Sequence, residues 1–304
     1  MKNILLFALV CTLFLSTGCF AAEKETPMNN VQAGIIGVVE GVTEYLPVSS
    51  TGHIMLTQRL LGIDMEGQQR EKAADAYAVC IQLGAIIAVL GLYPGRFKSI
   101  LLGIMGKDKA GRRLLMNLLI AFLPAAVAGL IFHNLIQKYL FGLWPIVIAW
   151  FAGGLLMLII SPRTSPDVVT GKELDEMDPI SALWIGVIQC IAMWPGVSRS
   201  FSTIIGGIFT GYSVKASVEF SFLLGVITLG AATLYEGHKY IGDVFDIYGW
   251  LPPVLGCAIA FVSAVISIKW LVNYLNNHGM QLFGWYRIGI AFLSVCLMIF
   301  GVMK

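Results

Sequence analysis

Six apolar stretches constrain this chain more than any other feature. They cover residues 75–93, 114–132, 141–160, 218–235, 250–271 and 284–302. Each has about the twenty residues that a helix needs to cross a bilayer. Between them the chain has little with which to face water. Only 12% of its residues are charged, against roughly 25% in a soluble globular chain, and the mean hydropathy is +0.80. The expected class is an all-α, polytopic membrane protein with the bilayer as its main partner. A net charge of +2 without a basic stripe argues against a nucleic-acid partner.

Two further apolar regions, 31–61 and 182–211, are broken near their middles. The breaks read Leu46-Pro47-Val48-Ser49-Ser50-Thr51-Gly52 and Trp194-Pro195-Gly196-Val197-Ser198-Arg199-Ser200. Non-helical backbone at membrane depth is tolerated only when buried in protein or lining a wet cavity, so both regions read as re-entrant helix hairpins. They resemble copies. Gly37-Val38-Val39-Glu40 precedes the first break and Gly186-Val187-Ile188-Gln189 the second, with Pro47 seven residues after Glu40 and Pro195 six after Gln189. Ile81-Gln82-Leu83-Gly84-Ala85-Ile86 and Phe222-Leu223-Leu224-Gly225-Val226-Ile227 follow as a second matching pair.

Orientation follows from charge. The loop after the first span holds Arg96, Lys98, Lys107, Lys109, Arg112 and Arg113, and such loops stay in the cytoplasm. Three spans separate corresponding points of the two units, so the second is upside-down relative to the first. Inverted repeats with broken helices meeting near the midplane are a known membrane plan. Repeat one is about 31–160 and repeat two about 180–304, within a single membrane domain 23–304. The first hairpin then enters from outside and the second from the cytoplasm. The segment 161–179 reads as a solvated cytoplasmic connector.

Residues 1–22 read as a targeting segment. Lys2 is a short positive region, Ile4 to Leu15 is apolar, and small residues end at Ala21 and Ala22. Cleavage there starts the mature chain at Glu23, outside the cytoplasm. An uncleaved anchor is the alternative, and Leu15 stands one position too early for a lipoprotein signal ending at Cys19. The six cysteines form no CxxC pair or Cys/His cluster and read as small apolar residues.

Glu40 and Glu44 lie four apart and share one helix face. A carboxylate at membrane depth is costly, so two together call for a function. They suit a divalent cation, Mg2+ or Ca2+, or a shared proton. Ser49, Ser50, Thr51 and His53 follow Pro47. Hydroxyls and free N–H groups at a helix start make an anion cradle, and His53 can serve as acid, base or nucleophile. The plainer reading is a helix cap. Arg199, between Ser198 and Ser200, carries a planar fork that matches phosphate oxygens. Together the tips suit phosphoryl transfer, in which positioning and charge neutralisation dominate.

The run Glu40-Gly41-Val42-Thr43-Glu44-Tyr45-Leu46-Pro47-Val48-Ser49-Ser50-Thr51-Gly52-His53 resembles the glutamate-rich motif of the undecaprenyl-diphosphate phosphatase (bacitracin-resistance) family. Pro195-Gly196-Val197-Ser198-Arg199-Ser200 resembles its second motif, and the likeness runs from Val31 to the C-terminus, including Glu219-Phe220-Ser221-Phe222-Leu223-Leu224. The resemblance implies hydrolysis of C55-isoprenyl diphosphate to the monophosphate, which recycles the lipid carrier of cell-wall synthesis. It also implies a divalent-cation requirement and a multi-pass protein of the bacterial inner membrane with an externally open site. Glu40, Glu44, Ser50, His53 and Arg199 become the core site, with Ser49, Thr51, Ser198, Ser200 and Thr203 as further phosphate contacts. A homodimer is left open. One departure stands out: Phe201 occupies the position where the family usually has glycine, and is expected to remodel the tip or the lipid groove. A transporter or flippase using Glu40 and Glu44 as a proton relay is the rival reading, but such a relay does not require Arg199 with its flanking hydroxyls. A membrane scaffold leaves the buried charges unexplained.

Overall fold

A computed structural model describes residues 28–63, 68–163 and 171–302, so the expected targeting segment lies outside the described residues. Among the described residues there are eleven α-helices and no strand: α1 (Asn30–Thr43), α2 (Ser50–Leu60), α3 (Gln68–Leu92), α4 (Pro94–Ile104), α5 (Lys109–Leu140), α6 (Leu143–Ile160), α7 (Pro179–Gln189), α8 (Arg199–Phe209), α9 (Val214–Tyr248), α10 (Leu251–Leu275) and α11 (Gln281–Ile299). α1–α2 and α7–α8 are the two broken hairpins. Lys109–Leu140, Leu143–Ile160, Val214–Tyr235, Leu251–Leu275 and Gln281–Ile299 are each long and apolar enough to cross a membrane, and Tyr77–Leu92 with Pro94–Ile104 makes a sixth candidate, bent by 84°. The outer surfaces of α5 and α6 carry exposed Leu123, Leu130, Ile131, Phe151 and Ile159. A surface this apolar faces lipid rather than water, and the chain is an all-α polytopic membrane protein.

Local chemistry sets the helix ends. Asn29 and Gln32 form a capping box at the start of α1, each side chain accepting from the other's backbone N–H at 2.9 Å. Asp178 caps α7 by accepting from Ile180 N and Ser181 N, with Pro179 at the first helical position, where a missing N–H costs nothing. Its bonds from the Ser181 backbone and hydroxyl hold its carboxyl down at about 2. The basic loop expected after the first span is partly helical. Pro94 starts α4, which turns away from α3 and carries Arg96 and Lys98.

Equivalent helices of the two repeats pack antiparallel. Arg96, just past the end of α3, bonds Glu219 near the start of α9 at 2.7 Å, while Thr233, deep in α9, reaches the Val79 carbonyl midway along α3. α6 and α11 also run in opposite directions: Leu158 meets Gly284 and the Trp150 carbonyl meets Arg287. α1 packs on α10 as α7 packs on α5. In the first of these contacts Gly37 approaches the Gly256 backbone, and in the second Gly186 approaches that of Ala121; a Cβ on either glycine would strike a main-chain carbonyl. This exchange of partners, with equivalents antiparallel, is an inverted repeat.

The connector into α7 is packed rather than merely solvated. Leu174 and Met177 are buried. The Met177 carbonyl accepts from Arg113 Nε at 2.9 Å and Asn117 Nδ2 at 2.8 Å, and Asp175 pairs with Arg96 at 2.6 Å. Lys172 exchanges two backbone bonds with the turn Gly211–Ser213. These contacts gather the basic residues at one end of the bundle.

Candidate active site

The two breaks share one backbone device. Ser49 has φ 73° and Ser198 φ 80°, and no other described non-glycine residue has positive φ. This conformation is costly for a residue with a side chain and persists only where surroundings enforce it. Each serine immediately precedes the second helix of its hairpin, so the pair fixes the structural alignment of the repeats. Counted back from them, Glu40 and Gln189 both lie nine residues earlier. The one-residue mismatch between Pro47 and Pro195 is therefore absorbed inside the breaks.

The breaks are bonded to each other. Gly196 N donates to Ser49 Oγ at 3.1 Å, and Ser200 Oγ donates to the Leu46 carbonyl at 2.8 Å. Glu44 joins them by charge: Oε1 pairs with Arg199 Nη2 at 2.7 Å, and Oε2 accepts from Ser50 Oγ. Arg199 also donates through Nη1 to the Ser221 carbonyl at 2.9 Å and lies 5.6 Å from the Tyr45 ring centre. Gly225 leaves room for the guanidinium. Of the five N–H donors of Arg199, two are so engaged, and its buried Nε has no partner among the described residues.

The other expected residues divide between cradle and scaffold. Glu40 is fully buried and neither carboxylate oxygen has a partner among the described residues; the same holds for both amide atoms of Gln189, its counterpart. Ser198 Oγ accepts from Phe201 N at 3.3 Å, a true helix cap, and contacts Ser200 Oγ at 3.0 Å. Thr203 Oγ1 lies 2.6 Å from Ser221 Oγ. Thr51 is exposed and apart from this network. Ser49 and Ser200 thus bond the breaks to each other and Ser198 caps α8, while Ser50, Glu44 and Arg199 form one continuous polar line.

His53 is buried beside this line with both ring nitrogens occupied. Nδ1 lies 2.7 Å from the Ser49 carbonyl, and Nε2 lies 2.7 Å from the Tyr286 hydroxyl. A carbonyl can only accept, so Nδ1 carries a proton, and in the neutral ring Nε2 accepts from Tyr286. The ring stacks on Tyr286 at 5.6 Å and tilts against Trp150 at 5.0 Å.

Sequence reasoning missed Tyr286, Arg287 and Trp150. Arg287 is 0% exposed and donates to five backbone carbonyls: Val197 and Gly196 at 2.7 Å, Ala149 at 2.8 Å, and Pro47 and Trp150 at 3.4 Å. Inserting an arginine at membrane depth costs about 3 kcal/mol on translocon-based scales. Three short bonds to a charged donor, at about 1.5–3 kcal/mol each, suffice to offset it. Trp150, its counterpart on α6, donates to the Val48 carbonyl at 3.0 Å, as Arg287 does to Val197. Against these partners sit Gly52, packed on Trp150, and Phe201, whose ring centre is 5.6 Å from the Arg287 guanidinium. Phe201 therefore fills the space beneath Arg287. The available signal was a lone charge inside an apolar span.

Among the described residues no three His, Cys, Asp or Glu side chains gather into a metal cage, and Cys80, Cys190, Cys257 and Cys296 are free. Mg2+ is usually held by one or two carboxylates with waters and substrate phosphates rather than by an all-protein cage. Two carboxylates one helical turn apart, one of them wholly unpartnered, fit that donor set.

A family model described as "Bacitracin resistance protein BacA" matches residues 33–293. Among similar proteins, "Undecaprenyl-diphosphatase 2" of Rhodospirillum rubrum is 41% identical over 265 residues, covering 86% of this chain and 92% of the relative. "Undecaprenyl-diphosphatase" of Azotobacter vinelandii is 42% identical over 272 residues, covering 89% and 95%. That of Nitrosospira multiformis is 38% identical over 270 residues, with the same two coverages. The chain belongs to the bacitracin resistance protein BacA family.

Proposed function

We propose that this membrane protein is an undecaprenyl-diphosphate phosphatase, hydrolysing the C55 lipid diphosphate to the monophosphate and inorganic phosphate and so recycling the carrier for cell-wall polymer synthesis. Family membership and the names of its relatives support the substrate. The observation that carries the chemistry is Glu44, held between Ser50 on one hairpin and Arg199 on the other.

Arg199 binds the diphosphate through its remaining N–H donors, and its charge offsets charge developing on the transferred phosphoryl group. Ser50, already donating to Glu44, is the hydroxyl with an acceptor in place. Its Oγ attacks the terminal phosphorus, its proton passes to Glu44, and the anhydride P–O bond breaks to release lipid monophosphate. Water then hydrolyses the phosphoserine, freeing phosphate and restoring the Ser50 hydroxyl. His53, fixed by Ser49 and Tyr286, lines the same site as a proton-transfer group. Glu40 and Glu44 are the residues that would hold a divalent cation, which when bound neutralises phosphate charge.

The basic end of the bundle supports a cytoplasmic placement of α4 and the connector 161–179. The first hairpin then enters from outside, and the site opens to the extracytoplasmic side of the bacterial inner membrane. Phosphate release by purified protein, with C55-diphosphate and soluble pyrophosphate compared, tests the reading. Release from the lipid supports it, and release from neither overturns it.

A further inference from the structure

Arg287 is where both breaks and a spanning helix converge. Its guanidinium takes the Pro47 carbonyl from the first break, the Gly196 and Val197 carbonyls from the second, and the Ala149 and Trp150 carbonyls from α6. It has no carboxylate partner among the described residues. An arginine needed only for charge would be matched by an acid, whereas this one is matched by carbonyls that irregular backbone leaves available. Pro47 stands two residues before Ser49 and three before Ser50; Val197 stands two before Arg199. The same fork therefore touches the chain just ahead of the proposed nucleophile and just ahead of the proposed phosphate ligand.

The surroundings aim the fork. Gly153 on α6 leaves space for it, since a Cβ there would collide with Nη2 and stand 2.6 Å from Cζ. Phe201 packs its ring against it, 5.6 Å from centre to guanidinium. Tyr286, the preceding residue on α11, holds His53. One turn of α11 thus sets three parts of the site at once.

We infer that Arg287 is a positioning residue for hydrolysis, fixing the two breaks relative to each other and so the setting of Ser50 against Arg199. The inference rests on the phosphatase reading above. It touches no reacting group, so its loss acts on turnover through geometry. A misplacement of about 1 Å costs on the order of a hundredfold in rate.

The test compares wild type, Arg287→Met, Arg287→Lys and Gly153→Ala. Each is purified and its competent fraction counted by stoichiometric binding of a methylene-bisphosphonate analogue of the C55 lipid, which cannot be hydrolysed. kcat is then expressed per competent site. The expected result is a loss of about a hundredfold in kcat for Arg287→Met with KM within about threefold, a partial recovery in Arg287→Lys, which lacks the planar fork, and about a tenfold loss in Gly153→Ala, where the guanidinium is displaced but retained. A kcat per competent site within about twofold of wild type in Arg287→Met overturns the inference, whatever happens to thermal stability. Should Arg287→Met not fold, Gly153→Ala decides by the same criterion. A wild type that binds the analogue but releases no phosphate from the C55 lipid overturns the phosphatase reading instead, and the two failures are told apart.

Discussion

Glu44 and Arg199 are 155 residues apart in the chain and 2.7 Å apart in the fold. The pair closes the gap between two helix hairpins that enter the bundle from opposite ends. Neither hairpin alone holds both Arg199, the proposed phosphate ligand, and a hydroxyl that donates to a carboxylate. The inverted repeat is what makes one site from two halves.

Tyr286 is expected to tune His53. Replacing it by phenylalanine keeps the stacked ring but removes the hydroxyl that donates to Nε2. The imidazole is then left with one fixed nitrogen. A kcat loss of about tenfold is expected, smaller than the roughly hundred- to ten-thousandfold attributed to a positioned proton-transfer group because His53 itself is retained, together with a shifted pH–rate profile and an unchanged melting temperature. An unaltered profile at wild-type rate would show that the contact only packs the ring.

Glu40 is expected to matter through metal. Neither of its oxygens has a hydrogen-bond partner among the described residues. Chelation should abolish phosphate release, and Glu40→Gln should reduce it sharply while raising the Mg2+ or Ca2+ concentration needed for half-maximal rate. Full activity of Glu40→Gln and Glu44→Gln in excess chelator would remove the carboxylates from any metal role.

Topology is tested by labelling. In a cysteine-free background, a single cysteine at Lys107 should resist a membrane-impermeant maleimide in intact cells and react after permeabilisation, because the basic end of the bundle is placed inside. Labelling from outside would invert the orientation and move the site to the other leaflet.

The spans and both breaks were legible because apolar length and proline interruption are local signals. Glu40, Glu44 and Arg199 stood out for a related reason, charge where charge is expensive. Arg287 carries the same signal but lies in the last span, far in sequence from either motif. Its importance depends on carbonyls contributed by residues 47, 149, 150, 196 and 197, and no local pattern encodes that convergence. The helix Pro94–Ile104 was hidden because its basic residues read as loop. The serines show the opposite case. Ser49 and Ser198 read as anion contacts, and the structural work they also do in the fold, positive φ at both, a cross-break bond at Ser49 and a helix cap at Ser198, has no local signal.

The most direct test of the shared site is steady-state phosphate release from C55-diphosphate by Arg199→Ala and Arg199→Lys, each checked for folding. Loss of a preorganised charge from such a site costs about 3–4 kcal/mol, or a hundred- to a thousandfold in kcat. Arg199→Ala should lose that much, and Arg199→Lys should recover only a minor part of the loss, because a compact ammonium lacks the planar fork that reaches Glu44 and the Ser221 carbonyl from separate nitrogens and leaves further N–H donors for phosphate. Wild-type turnover in folded Arg199→Ala would contradict the claim that one site spans both hairpins.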